Sequence, residues 1–387
     1  MIKASEFCVS FFDGTHKSPK PTKEGYKLLT SKNILNGYID SSDAYFISEQ
    51  DYNSINERSK IYKWDILFSM IGTVGNICLI TEEKLDFAIK NMGVFSTRNE
   101  EKAKWLYFYL KSPIVKRKIQ NQLNGAVQKF LPLGWLRNLE LPEYKEDHKR
   151  IVDLLWSIEE KINKNNSINL ELETMTKTIY DYWFLQFEFP NEKRMPYKSS
   201  GGKMVWNEEL KREIPDGWGA FDFTNTEICQ MIQPGVKLFS LKNYLATSNV
   251  NNEYMNDGNW IEYNNRETRA NMQPVEYSIW FAKMKNSIKH ISIPFNSDWF
   301  TQKYILSTGF VGLSCNEFSF AYVHSIVNSN NFEKRKDSLA HGATQEAINN
   351  EDLKNMKFVL PNKTILNAFA LIINPFLELK FKVLFGR

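Results

Sequence analysis

Gly342-Ala343-Thr344-Gln345 repeats Gly125-Ala126-Val127-Gln128 at a shift of 217 residues, and this recurrence decides how the chain is divided. The same shift relates Ala246-Thr247-Ser248 to Leu29-Thr30-Ser31, and Leu353-x-Asn355 to Leu136-x-Asn138. Three anchors in one order at one offset predict two diverged copies of a single unit. Pro142 then matches Pro361 with two residues inserted, and the run Ile365, Phe369, Ile372 and Ile373 follows as Ile151 and its helix follow in the first copy. Ile66-Leu67-Phe68 matches Ile279-Trp280-Phe281 at the slightly different shift of 213. Each copy reads as a globular domain, a turn, a proline and a helix.

The bulk properties set wide limits. With 387 residues, 42% hydrophobic and 14% aromatic, the chain is long and apolar enough for two or three folded domains. No apolar stretch approaches the ~18 residues that span a bilayer. The N-terminal residues lack the charged-then-apolar layout of a secretion signal, so a cytoplasmic protein is expected. Cys8, Cys78, Cys229 and Cys315 are scattered, which argues against a zinc site and a disulfide framework. The formal charge is only +4, but it is uneven: +5 over residues 1–145, −4 over 146–190 and +3 over 363–387. Such a distribution is weak evidence for a polyanionic partner by itself.

One long helix is expected from about Lys149 to Phe187. Heptad positions a and d fall on Ile151, Leu154, Ile158, Lys161, Asn165, Ile168, Leu172, Met175, Ile179 and Tyr182, of which eight are apolar or aromatic. This predicts a coiled-coil seam carried by Ile151, Leu154, Ile158, Asn165, Leu172, Met175 and Ile179, with Asn165 fixing register. The helix is expected to span on the order of 55 Å. It stops before Pro190, and the polar stretch 191–202 reads as a linker. Elsewhere short strand-like runs dominate. Residues 64–69 and 75–80 predict two strands joined by a turn at Gly72, and 101–123 predicts a helix.

Several chemistries find no support. There is no G-x-x-x-x-G-K-[ST] phosphate loop. Asn374-Pro375-Phe376-Leu377 looks superficially like a methyltransferase tetrapeptide, but it lies in an apolar helical run with no glycine-rich loop upstream. Glu159-Glu160-Lys161 has the letters of a nuclease site, yet sits on a helix where charged faces are usually solvated. The five histidines, 16, 148, 290, 324 and 341, are too dispersed for a ligand set, and His16 reads as a surface or capping residue. No catalytic residue, metal site or cofactor is expected.

The ordered motifs resemble the specificity subunit of type I restriction-modification systems. The resemblance rests on Asp13-Gly14-Thr15-His16, on Leu29-Thr30-Ser31-Lys32-Asn33-Ile34, and on Trp64 to Ser69 followed by Ile71 to Gly75. It continues through the G-A-x-Q turn, Leu139-Glu140-Leu141-Pro142, and Tyr180-Asp181-Tyr182-Trp183-Phe184, to a second lead-in at Lys211-Arg212-Glu213-Ile214-Pro215-Asp216-Gly217-Trp218. It implies an α+β fold of two target recognition domains in tandem repeat, separated by long helices that form an antiparallel coiled coil. The expected divisions are residues 1–145, a central spacer helix at 146–190, a linker and second domain at 191–362, and a shortened helix at 363–387. Arg387 matches Ile168, so that last helix is about half the length of the first, and Pro375 should kink it. The first copy also lacks a lead-in, since Met1 falls opposite Trp218.

The resemblance further implies a non-catalytic, DNA-binding subunit that reads a bipartite duplex target. Its partners would be methyltransferase subunits, two copies of them, and a restriction/translocase subunit, with no membrane involved. In such a protein, lysine and arginine neutralise phosphates while amides and guanidinium groups read base edges. The candidates near the anchors of the first copy are Lys32, Asn33, Arg58, Lys60, Lys63, Thr73, Asn76, Gln128 and Lys129. Those of the second are Asn249, Asn251, Asn252, Arg266, Arg269, Lys283, Lys285, Asn286 and Gln345. Gln128 and Gln345 stand out because they recur, although recurrence also suits a turn-satisfying role. The alternative is a helical adaptor that binds partner subunits without reading DNA.

Overall fold

The computed structural model describes residues 1–35, 37–123, 130–252, 254–342 and 345–385. It is a mixed α+β protein that divides into two compact units, Met1–Asn165 and Asn166–Arg387.

Unit 1 contains, in order, β1 (Ile2–Lys3), α1 (Ala4–Phe7), β2 (Ser10–Asp13), β3 (Tyr26–Leu29), β4 (Phe46–Ile47), α2 (Glu49–Ser59), β5 (Asp65–Ser69), β6 (Ile77–Leu79), β7 (Phe87–Ile89) and β8 (Met92–Ser96). Helices α3 (Glu100–Lys111), α4 (Pro113–Leu123) and α5 (Leu133–Arg137), strand β9 (Glu140–Leu141) and the start of α6 (His148–Tyr180) complete it. The main sheet is antiparallel in the order β2-β8-β5-β6. A second sheet, β4-β3-β7, contains one parallel pair, β3 with β7. Strand β5 is buried along its whole length because both of its faces meet apolar layers. Ile66 and Phe68 join the core under α3 and α4, whereas Leu67 joins Leu29 and Ile89 on the opposite side. Residues 101–123 form two helices, not one. Ser112 is extended (φ −64°, ψ 152°), as the residue before Pro113 prefers. Asn99 starts α3 by accepting the Lys102 N–H at 2.9 Å.

Unit 2 opens on the rest of α6, followed by one π-turn at Asp181–Leu185. The helical path therefore ends before Pro190, and Phe187 already has φ 63°. Residues 191–202, polar in sequence, fold back on that end: Tyr197 stacks on Phe189 at 4.6 Å, which stacks on Trp218 at 4.8 Å. The strands are β10 (Met204–Asn207), β11 (Arg212–Pro215), β12 (Gly219–Phe221), β13 (Cys229–Met231), β14 (Lys242–Leu245), β15 (Val250–Asn251), β16 (Tyr254–Met255), β17 (Asn259–Ile261), β18 (Ala270–Met272), β19 (Ser278–Ala282) and β20 (His290–Ile293). Helix α7 (Asp298–Lys303), β21 (Tyr304–Ser307), β22 (Phe310–Cys315), α8 (Phe320–Val327), α9 (Asn330–Leu339), β23 (Phe358–Leu360) and α10 (Lys363–Phe385) follow.

The main sheet of unit 2 is antiparallel in the order β13-β22-β19-β20, and a neighbouring sheet, β17-β14-β21-β18, contains one parallel pair, β14 with β21. Strand order and direction in the main sheets thus match strand for strand between the units. The central strand β19 is again wholly buried, with Ile279 and Phe281 on one core and Trp280 and Ala282 on another. Trp280 needs the glycine opposite it: a Cβ on Gly312 would come within 2.4 Å of its ring. Each unit also pairs a short strand that leads into its main sheet with its last strand, β1 with β9 and β12 with β23.

Helix α10 packs antiparallel to the end of α6. Phe369, near its start, lies 4.9 Å from the Phe184 ring and 5.8 Å from the Trp183 ring, while Lys380, near its end, reaches back to Glu173 at 3.5 Å. Helix α10 runs unbroken through Pro375. The carbonyl that loses its donor belongs to Leu371, a residue on the exposed face of the helix at 80% exposure.

Candidate nucleic-acid interface

One end of each main sheet collects the segments that hold most of the candidate residues. In unit 1 the hairpin between β5 and β6 ends in a tip at 70–76. The tip leans on the turn 30–34: Asn76 Nδ2 donates to Ile34 O at 2.9 Å, and Thr73 Oγ1 donates to Ser31 O at 3.4 Å. Phe130 bridges Ile71, and Leu131 N donates to Met70 O at 2.9 Å. In unit 2 the tip between β19 and β20, residues 283–289, is flanked the same way. Lys289 Nζ donates to Thr247 O at 2.6 Å, Asn252 N donates to Ile288 O at 3.1 Å, and Ile348 N donates to Lys283 O at 3.0 Å.

The candidates separate once placed. Asn33 is buried and works on its own turn: its Oδ1 accepts the Thr30 N–H at 2.8 Å, and its Nδ2 donates to Asp40 O at 2.9 Å. Asn249 does the same, accepting the Ala246 N–H at 3.0 Å. Each also offers its carbonyl to a residue seven further on, Asp40 N and Asn256 N, at 2.9 Å in both cases. Asn76 is tied as described. Lys32 and Thr73 are exposed at the tip end. Arg58 reaches that end through Asp13, 2.9 Å away, and Asp13 also meets His16 at 3.0 Å. Asp13 pairs with Gly93 and Ser69 with Met92, which puts them at the same edge. Lys60 and Lys63 precede β5 and therefore lie at the opposite end, beside Tyr62, Trp64 and Glu83. Gln128 and Lys129 lie outside the described residues.

In unit 2, Asn251, Asn252, Arg269, Asn286 and Gln345 are exposed. The Arg269 carbonyl accepts Thr308 N at 2.9 Å, beside Gly309, whose carbonyl accepts Lys283 N at 3.0 Å, so Arg269 belongs to the tip end. Arg266 is held locally, stacked 4.0 Å over Tyr263 and donating to its carbonyl. Lys285 pairs with Glu346 at 2.9 Å. Lys283 is half-buried, and that burial pulls its ammonium below the usual lysine range. Gly342 explains part of the recurring turn. It has φ 137°, and a Cβ there would lie 2.5 Å from the Gln345 carbonyl oxygen.

Three features escaped the sequence reading. Exposed apolar groups sit at the tips: Ile71 and Phe130 in unit 1, Met284 and Ile288 in unit 2. Lys289 was overlooked although it lies two residues after the turn-like Asn286-Ser287 pair. Glu159, expected on a solvated face, is buried where α3 crosses the start of α6, because Lys111 and Tyr107 project from α3 to meet it. The helical positions also differ in setting. Ile151, Leu154 and Ile158 are 61%, 63% and 50% exposed, while the buried face of α6 in unit 1 is Val152, Trp156 and Glu159. Asn165, Leu172 and Ile179 are half-buried and Met175 is exposed. Leu172 lines a cavity of about 260 Å³ with Thr176, His324, Asn328, Leu377 and Lys380.

Comparison with known proteins gives these loops a context. Residues 15–174 match the family described as the type I restriction modification DNA specificity domain. The match covers less than half of the chain and shows what this part of it is similar to. Among its relatives, the specificity subunit of the type I restriction enzyme MjaIX from Methanocaldococcus jannaschii is 26% identical over 117 residues, 30% of this chain and 25% of that protein. The EcoBI specificity subunit from Escherichia coli is 25% identical over 163 residues, 41% of this chain and 34% of that protein. The chain thus spans a quarter to a third of the length of the curated relatives it matches. The crystal structure of the type I restriction-modification S subunit from M. genitalium shares the fold, with a TM-score of 0.54 at 14% identity, covering 99% of this chain and 90% of that one. No helix among the described residues is long and apolar enough to cross a membrane.

Proposed function

We propose that this chain is the sequence-specific DNA-binding subunit of a type I restriction-modification complex. It recognises a bipartite duplex target and directs partner methyltransferase and restriction/translocase subunits to it. Each unit acts as a target recognition domain and reads one half of the target, and the α6–α10 helices form the antiparallel coiled coil on which the partners assemble. Two methyltransferase copies are expected, one for each recognition unit. Methylation and cleavage belong to those partners, and the chain itself works without a cofactor in the cytoplasm. The proposed division is residues 1–145 and 191–362 for recognition, and 146–190 and 363–387 for the helices.

The observation that carries this reading is the matching edge of the two main sheets. Both present a hairpin tip beside a short turn closed by an asparagine, Asn33 or Asn249. The frames match while the exposed side chains differ, as two domains reading different half-sites require. The decisive experiment presents a randomised duplex library to the chain assembled with its methyltransferase partner. Enrichment of a split motif is expected. The exposed apolar row Ile151, Leu154 and Ile158 equally favours a helical adaptor that ignores DNA sequence, and a library that yields no motif would leave that reading standing.

A further inference from the structure

The hairpin tip of unit 2 is held from behind by α9, through residues outside every segment so far considered as a DNA contact. Asn286, at the tip, has left-handed backbone with φ 55°. Its N–H donates to Asp337 Oδ1 at 2.9 Å. The carbonyl of the next residue, Ser287, accepts from Lys336 Nζ at 2.9 Å. Two consecutive residues of one helix thus supply an acceptor and a donor to two consecutive residues of one turn.

Lys336 is fully buried. A buried ammonium is costly unless its charge and its donors are matched. Glu333 Oε2, 2.6 Å away, supplies the counter-charge. The other Glu333 oxygen lies 2.8 Å from His290 Nε2, and His290 Nδ1 lies 2.9 Å from Asn328 Oδ1. His290 opens β20, the strand that leaves the tip. The hydrogen bonds therefore run from the turn into α9 and back to the strand beneath it. A plain hydrocarbon core would stabilise this region as well or better, so the network suits the fixing of one geometry. In unit 1 the described residues place no ion pair on the tip, which is tied instead by Asn76 and Thr73.

We propose that Lys336 and Asp337 are positioning residues for sequence recognition, locking the tip at 284–288 so that its side chains meet base edges in a single arrangement. The proposal rests on the reading of unit 2 as a DNA-reading domain. Neither residue touches DNA. Discrimination between bases depends on donors and acceptors held in place, whereas attraction to phosphates tolerates motion. Loosening the tip therefore lowers specificity more than affinity.

The test uses the full chain assembled with its methyltransferase partner, comparing wild type with Lys336→Met and Asp337→Ala. Asp337 is half-buried at the surface, so its variant keeps the question open to experiment if Lys336→Met does not fold. Amide hydrogen exchange at 284–288 is expected to quicken roughly tenfold in each folded variant, with unit 1 unchanged. In selection from a randomised duplex library, the half-site read by unit 2 is expected to lose stringency while the other half is retained, with total affinity within about threefold of wild type. Unchanged exchange at the tip overturns the proposal. So does faster exchange with both half-sites selected as stringently as by wild type. A wild-type complex that enriches no motif overturns the underlying DNA-reading function instead, and the recognition role of the two residues falls with it.

Discussion

Lys111 grips both carboxylate oxygens of Glu159, at 2.8 and 3.0 Å. The Tyr107 hydroxyl donates to the same carboxylate, and burial together with that neighbouring charge pushes the Tyr107 phenol above its usual range. These contacts fasten α3 to the start of α6 within unit 1. Glu159→Ala strands the Lys111 ammonium in a half-buried site. It is expected to cost unit 1 about 2 kcal/mol, less than the ~3–5 kcal/mol of a fully buried pair because Lys111 keeps some access to water. Chemical denaturation of the full chain checks this, and an unchanged midpoint would refute it.

Asn33 and Asn249 were attractive as base readers, but their amides are spent on their own turns. Asn33→Ala is expected to lower stability by about 1 kcal/mol, the usual cost of losing such a cap, and Asn249→Ala by somewhat less because it is less buried. Thermal unfolding reads the effect. A variant that melts like wild type yet loses sequence preference would return these residues to direct readout.

The Glu333 carboxyl carries a pH signature. Burial raises its pKa, but the hydrogen bonds from His290 and Lys336 and their charges outweigh burial and hold it below the ordinary 4.5. The folded state therefore binds this proton less readily than the unfolded state. The stabilisation is complete above pH 4.5 and is lost as pH falls through the lower folded value. Glu333→Gln is expected to flatten the part of the stability profile that lies below pH 4.5. Unfolding midpoints of both proteins across this range decide the matter, and parallel profiles would count against it.

Phosphate contacts predict a salt signature. Lys32→Ala and Arg269→Ala are each expected to weaken binding uniformly across sequences and to reduce the slope of log affinity against log salt by about 1. Titrations at several salt concentrations test each residue separately. A full wild-type slope in either variant removes that residue from the interface.

The two ends of α6 should answer differently to the same insult. Leu172 is half-buried and lines the same cavity as Leu377, so Leu172→Asp is expected to destabilise unit 2 by about 2–3 kcal/mol. Ile158 is half exposed, so Ile158→Asp should leave the melting temperature within a degree or two while abolishing assembly with the methyltransferase. Sizing of the mixed complex alongside a thermal melt separates these effects. Intact assembly by Ile158→Asp would remove this face from the docking surface.

Much of the frame was legible because it is built from local signals. The strand pair at 65–79 and the long helix announce themselves by apolar patterning and turn residues, and Pro113 marks the break that a purely periodic reading smooths over. The repeat was legible because turns such as Gly342 demand particular backbones. The interior ion pairs were not. Glu159 sits in a heptad pattern where nothing local tells that Lys111, 48 residues away, will bury it. Lys336 and Asp337 look like surface charge on a short helix, and only the tertiary fold brings them to the turn at 286–287. Likewise Ile151 and Leu154 carry the right period for a seam, but period does not specify which neighbour covers them.

The paired terminal strands have a consequence of their own. Ile2 sits in register with Leu141, and Gly219 with Leu360, so the segments 2–141 and 219–360 each start and finish side by side. Everything between is a closed excursion. Its length and surface are free to change without moving the strand that leads into the following helix. Adjacent ends of this kind are the geometry that circular permutation and segment exchange require.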